Sequence, residues 1–94
     1  MQEAYEQEET ATTEQKLTFG QKAVGLTFNP SGDVNVNDIK KQYALIIDTL
    51  NLMREDIKKS EDDGQNGERI RLLSISITEA QSAQMWAVKA ITWK

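Results

Sequence analysis

The sequence contains no cysteine and no histidine among its 94 residues. Without cysteine, the chain can form neither a disulfide framework nor a thiolate metal site. Without histidine, it lacks the commonest general base and the commonest zinc ligand. No apolar run reaches the roughly 20 residues that span a bilayer, and the amino terminus lacks a basic segment followed by an apolar one. We therefore expect a cytosolic protein that is not an enzyme, holds no metal or cofactor and inserts into no membrane.

The acidic excess is confined to the start of the chain. The formal net charge of −4 comes from 15 acidic and 11 basic residues. Residues 1–16 hold five glutamates and one lysine, which leaves ten acids and ten bases for residues 17–94. So polar a segment cannot offset its conformational entropy by burial. The pattern predicts a disordered acidic tail over residues 1–16 and one domain over residues 17–94, whose neutral charge argues against DNA binding.

Hydrophobic periodicity predicts two long helices. The first runs from about Val36 to Lys59, and its apolar residues recur at spacings of four and three. The polar stretch from Ser60 to Gly67 predicts an exposed connection that permits an antiparallel return. The second helix begins near Glu68, because its helical stripe continues well past the strand-like alternation of "LLSISIT". The predicted buried stripe of the first helix consists of Ile39, Tyr43, Ile46, Leu50, Met53 and Ile57.

The segment before the first helix holds three glycines and the only proline, over residues 17–33. It predicts a short helix or an extended approach rather than a long helix. Within "NPSGD", Gly32 is suited to a positive φ, and Asp33, Asn35 or Asn37 can cap the helix that follows.

The second long helix is apolar on two faces. One face continues from Ile77 through several alanines, and the other carries Ile75, Trp86 and Trp93. These faces point about 100–140° apart, so one partner helix cannot cover both. The predicted fold is all-α, an antiparallel two-helix hairpin with a short N-terminal helix or extended segment. Because so small a hairpin has little core of its own, we expect it to assemble into a homo-oligomer.

Polar residues also align along the second helix. Arg71, Thr78, Ser82 and Lys89 follow at spacings of seven, four and seven, beside Trp86. Two cations, two hydroxyls and an indole suit an anionic ligand that carries a planar base. The same residues also suit a partly exposed helix face without a ligand. On such a face, Lys and Arg extend their charged ends into water, and the hydroxyls bond back to the helix backbone. Spacing alone favours the second interpretation and leaves the first open.

A family resemblance supports the interpretation that this helix binds a ligand. The stretch "LLSISITEAQSAQMWAVKAITW" resembles the closing helix of the phage anti-CBASS protein two family, whose hairpin domain also occurs in the Thoeris anti-defence protein one family. The shared features are the Ile-x-x-Thr entry at 75–78, Met-Trp-Ala at 85–87 and Lys-Ala at 89–90. Upstream, "DIKKQYALIID" is similar to the family's first long helix, with its Ile-Lys pair at 39–40. The resemblance covers about residues 25–93.

The resemblance implies a phage-encoded sponge that sequesters cyclic dinucleotide messengers without cleaving them, and so inhibits CBASS-type defence in the cytoplasm of the infected bacterium. The resemblance implies a compact homohexamer that holds cyclic dinucleotides between its subunits. It also implies, for some members of the family, separate sites for cyclic trinucleotides. The alternative is a small helical phage assembly or interaction protein with no nucleotide ligand.

The resemblance also implies residues for the dinucleotide site. Lys40 stands at the Ile-Lys position, whose lysine approaches the phosphates of the messenger. The family's entry segment has a Gly-Tyr pair whose ring stacks on a base, but here Gly25 is followed by Leu26. Phe28 supplies a ring two residues further on, or else it packs as an apolar staple at the helix start.

For the trinucleotide site, the resemblance implies Thr78 and Lys89, with Ser82 between them. Many relatives carry a basic residue just before the threonine, where this sequence has Ile77. This difference leaves trinucleotide binding open.

Overall fold

The computed structural model describes residues 16–94, so the predicted acidic tail lies outside them except for its last residue. Three helices follow in order: α1 (Phe19–Ala23), α2 (Val34–Lys59) and α3 (Asn66–Ile91). The described residues contain no strand, and "LLSISIT" is helical. The chain is therefore all-α as predicted, with α3 returning along α2 and α1 packed on α2. None of these three helices is long and apolar enough to cross a membrane.

The turn before α2 is fixed by side chains that bond to the backbone. Asp33 is the N-cap, and its carboxylate accepts a hydrogen bond of 2.7 Å from the backbone N–H of Asn35. Asn29 bridges the same turn by donating to the Asp33 carbonyl at 3.0 Å, and Gly32 has a φ of +68°. Of the three possible caps, the structure therefore uses Asp33.

α1 lies close on α2 because its buried residue is a glycine. A Cβ atom on Gly20 would stand 2.1 Å from the carbonyl oxygen of Ala44. The Gly20 N–H donates to the carboxylate of Asp48 at 2.6 Å, which fastens α1 to α2. A capping box between Thr18 and Gln21 closes the start of α1. This contact sets the position of the loop that follows α1.

The predicted buried stripe of α2 is partly wrong. Ile46 and Met53 are 50% and 49% exposed, whereas Ile47 is completely buried. The buried line of α2 instead runs through Val36, Lys40, Ala44 and Ile47. It differs from the prediction because the small Ala44 admits α1, and because Lys40 is buried by bonds to the loop rather than by apolar character.

The core of the hairpin is small. It is centred on Ile47 of α2 and Ile77 of α3, with Val24 and Ala44 beside them. On the outside of α3, Trp86 and Trp93 are 69% and 72% exposed, and Ile75 is also exposed. This is the face that α2 was predicted to leave uncovered.

The connection between α2 and α3 is held by a buried asparagine. α3 begins at Asn66, two residues before the predicted start. The Asn66 amide donates to the Ser60 hydroxyl at 3.2 Å and to the carbonyls of Ile57 and Glu61 at 3.4 Å. It thereby joins the last turn of α2 to the connection that follows it.

Candidate ligand-binding pockets

The loop between α1 and α2 is closed around the ammonium group of Lys40. Gly25 has a φ of +63°, a conformation that favours glycine, and its carbonyl accepts from the Phe28 N–H at 2.9 Å. Lys40 Nζ donates to this same carbonyl at 3.0 Å and also to the carbonyl of Phe28. Lys40 is only 6% exposed, so α2 positions a buried cation directly beneath the loop.

Phe28 and Lys40 form a paired aromatic and cationic group. Lys40 Nζ lies 5.6 Å from the centre of the Phe28 ring, which is 70% exposed. Phe28 does not act as an apolar staple, because Asp33 caps α2 and Gly32 holds the preceding position. The structure thus brings together Phe28 and Lys40, two of the residues that the sequence implied for one site.

The charge of Lys40 is poorly compensated. Within residues 16–94 no carboxylate lies at ion-pair distance, and burial lowers the pKa of the ammonium group below its ordinary value. An ammonium group has three donors, and two are taken by the loop carbonyls. Among residues 16–94, the third N–H of Lys40 therefore has no partner and its positive charge has no counter-ion.

Beside this pair lies a pocket of about 330 Å³, which we call the Lys40 pocket. A volume near 300 Å³ is at the lower end for small-molecule sites. Its walls come from the α1–α2 loop, the start of α2 and the last turns of α3. Its lining residues include Phe28, Val36, Lys40, Gln84, Met85, Val88 and Thr92.

A second pocket, the Lys89 pocket, lies on the outside of α3 and measures about 420 Å³. It is lined by Ser82, Met85, Trp86 and Lys89. Lys89 Nζ lies 5.4 Å from the ring centre of Trp86 and 5.8 Å from that of Trp93. Lys89, too, forms no ion pair within the described part of the chain. Because Met85 borders both pockets, they are neighbours on α3.

Three of the residues that the sequence suggested for ligand binding line neither pocket. Leu26 packs against the core and lines a different surface pocket, together with Lys41 and Leu45. Thr78 is exposed on α3 but does not line the Lys89 pocket. Arg71 is paired with Glu68 at 2.8 Å, which partly neutralises its charge.

The sequence interpretation missed the α3 wall of the Lys40 pocket. Met85, Val88 and Thr92 follow at spacings of three and four, which is the signal of one helix face. Gln84 is 4% exposed in the same wall, although glutamine is rarely so deeply buried. No periodicity signal marks such a residue, because its burial depends on where the loop closes.

These features define a small helical-hairpin domain that carries two open pockets, each with a cation beside an aromatic ring. The family model of the Acb2/Tad1 hairpin domain matches residues 21–92, so the chain belongs to this family, as the resemblance indicated. The matched range includes every lining residue of the two pockets, whereas Trp93, whose ring lies near Lys89, falls just outside it. No curated protein and no solved structure matches the chain.

Proposed function

We propose that this protein is a phage-encoded sponge that binds cyclic dinucleotide immune messengers without cleaving them. The observation that carries the proposal is the Lys40 pocket, where a buried ammonium group without an ion-pair partner among residues 16–94 lies 5.6 Å from an exposed aromatic ring. The cation suits a phosphate and the ring suits a base, so both parts of a nucleotide find a partner within one pocket. Membership of the Acb2/Tad1 hairpin family supports the same function.

Sequestration needs affinity and copy number rather than chemistry. The sponge lowers the free messenger by mass action, provided that it binds more tightly than the immune effector and is more abundant than the messenger. The Lys40 pocket is suited to tight binding because the loop bonds hold its cation in place before a ligand arrives. In this proposal the protein acts in the cytoplasm of the infected bacterium.

The Lys89 pocket supports a further site, for a cyclic trinucleotide, less strongly. Lys89 lies close to two indole rings and shares its pocket with the hydroxyl of Ser82, a combination that suits phosphates and bases. However, Ile77 is 4% exposed within the core, where many relatives carry a basic residue. We therefore expect weaker binding of a trinucleotide than of a dinucleotide.

We also propose that the hairpins assemble into a homo-oligomer, which the resemblance implies to be a hexamer. Large apolar side chains are exposed on both long helices, including Leu45, Leu52, Trp86 and Trp93, each more than 60% exposed. Apolar groups exposed on both helices usually mark an interface. Light scattering during size-exclusion chromatography measures the mass directly, and the monomer mass of 10.6 kDa would contradict the assembly.

Calorimetric titration with a panel of cyclic di- and trinucleotides tests the function. We expect tight dinucleotide binding, and recovery of intact ligand by mass spectrometry after the complex is heated. Lys40→Met should abolish binding, whereas Lys59→Met removes the same charge from an exposed site on α2 and should not. If no member of the panel binds, the exposed apolar faces favour the alternative, an assembly or interaction protein without a nucleotide ligand. A cleaved ligand would overturn the sponge.

A further inference from the structure

Gln84 is a buried amide with unused hydrogen-bonding capacity. Its side chain is 4% exposed, and its only hydrogen bond within the described residues runs from Nε2 to the Gln81 carbonyl at 3.5 Å, the outer limit for such a bond. One N–H and the oxygen Oε1 have no partner among residues 16–94. Buried polar side chains are nearly always paired, so an amide in this state needs a reason to be there.

Gln84 lines the Lys40 pocket. Arg54 Nε is the only side-chain polar atom in the described residues that is both fully enclosed and without a partner. The unpaired Oε1 of Gln84 is therefore not fully enclosed by the described residues, and the Lys40 pocket is an opening that Gln84 lines. The α3 wall around it is otherwise provided by Met85, Val88 and Thr92. Gln84 is thus the one carboxamide that α3 presents to this pocket.

An amide with one free N–H and one free oxygen recognises a partner with an acceptor next to a donor. Adenine presents this pair on both of its hydrogen-bonding edges, since its amino group lies between two ring nitrogens that accept. Guanine presents it on its Watson–Crick edge, through O6 and N1–H, but its Hoogsteen edge carries two acceptors, N7 and O6. The Hoogsteen edge is therefore the edge on which an amide distinguishes adenine from guanine. The bidentate pairing of glutamine with adenine is a recurrent contact in nucleic-acid recognition.

We propose that Gln84 is the specificity-determining residue of the Lys40 pocket, and that it selects adenine-containing cyclic dinucleotides by reading the Hoogsteen edge of the base. This inference rests on the proposed function, because it assigns the base that the same pocket reads. Phe28 supplies the stacking surface and Lys40 the positive charge, neither of which distinguishes one base from another. Discrimination then depends on the Gln84 amide.

Calorimetry with cyclic di-AMP and cyclic di-GMP tests the assignment. The wild-type protein should bind cyclic di-AMP at least about ten-fold more tightly, as expected for one bidentate amide–base pair. Gln84→Met keeps the length of the side chain but loses the amide, and should bind the two ligands equally. Gln81→Met is the matched control, because Gln81 lies one turn earlier on α3 and bonds to the Ala23 carbonyl instead of lining the pocket. It should keep the wild-type preference.

A change of ligand tests the same idea without a mutation. A cyclic dinucleotide with purine in place of adenine lacks the amino group, and the wild-type protein should bind it about ten-fold more weakly. Equal affinity for this analogue, equal wild-type affinity for the two natural ligands, or an unchanged preference in Gln84→Met would each overturn the assignment and leave the sponge intact. Absence of all binding would overturn the proposed function, and the assignment with it.

Discussion

The same substitution at two glycines should have opposite effects on stability. Gly20 lies against α2, where an added Cβ would stand 2.1 Å from the Ala44 carbonyl oxygen and 2.9 Å from its carbonyl carbon. Gly67 lies in the first turn of α3, where an added Cβ would meet nothing within 4 Å. Both positions are helical, so the helix preference for alanine over glycine is common to both. The difference between Gly20→Ala and Gly67→Ala therefore reports the contact between α1 and α2.

The expected magnitudes follow from these contacts. In Gly20→Ala, α1 must retreat by more than 1 Å to reach an ordinary contact distance, and the 2.6 Å bond from the Gly20 N–H to Asp48 is lost. Overpacking costs about 1–3 kcal/mol and a hydrogen bond to a charged group about 1.5–3 kcal/mol, while alanine returns up to about 1 kcal/mol. We expect a net loss of about 2–4 kcal/mol. Gly67→Ala should instead gain about 0.4–1 kcal/mol.

Urea unfolding followed by tryptophan fluorescence measures both variants, at one protein concentration because assembly would contribute to stability. Since α1 positions the loop above Lys40, Gly20→Ala should also weaken ligand binding. If Gly20→Ala proves as stable as Gly67→Ala, α1 does not pack against Ala44 and does not fix the position of the loop.

Three further predictions concern single side chains. Phe28→Leu removes the exposed ring but keeps the backbone carbonyl that Lys40 binds. Ligand affinity should therefore fall by about 1–3 kcal/mol in calorimetry, with little change in the urea midpoint. An unchanged affinity would exclude stacking. Burial lowers the pKa of Lys40 in the folded state. Between that lowered pKa and the ordinary value of 10.5, the unfolded chain therefore binds more protons than the folded chain. The free energy of unfolding should consequently rise with pH in this range. The rise should be smaller in Lys40→Met. Arg54→Ala removes hydrogen bonds to Ser74 of α3 and Asn51, and should destabilise the hairpin by about 2 kcal/mol in urea; a neutral result would show that the bridge adds nothing.

Periodicity and turn chemistry were sufficient to predict the helices. The alternation of four and three residues located α2, and the "NPSGD" turn limited its cap to a few residues, of which Asp33 is used. The buried side of α2 was harder to predict, because Ile46 and Met53 are more apolar than Ala44 but leave no room for α1. The packing was decided by how closely α1 can approach the small residue Ala44, and a hydrophobicity pattern does not measure this distance.

The pockets were predicted only in part, for a related reason. The resemblance pointed to Lys40 and Phe28, and the structure places them together. It could not show that Lys40 is buried, since this depends on the positive φ of Gly25, which turns two carbonyls towards the ammonium group. Gln84 was missed because its place in the wall depends on the same loop.

The size of the Lys40 pocket bears on how a complete ligand would be held. At about 330 Å³ it has one ring, one cation and one free amide, whereas a cyclic dinucleotide has two bases and two phosphates. One hairpin would therefore offer partners for about half of the proposed ligand, and we expect a second copy to enclose the rest. The calorimetric stoichiometry measures this directly. We expect one dinucleotide for every two chains, and a ratio of one ligand to each chain would mean that a single hairpin is sufficient and that assembly is not needed for binding.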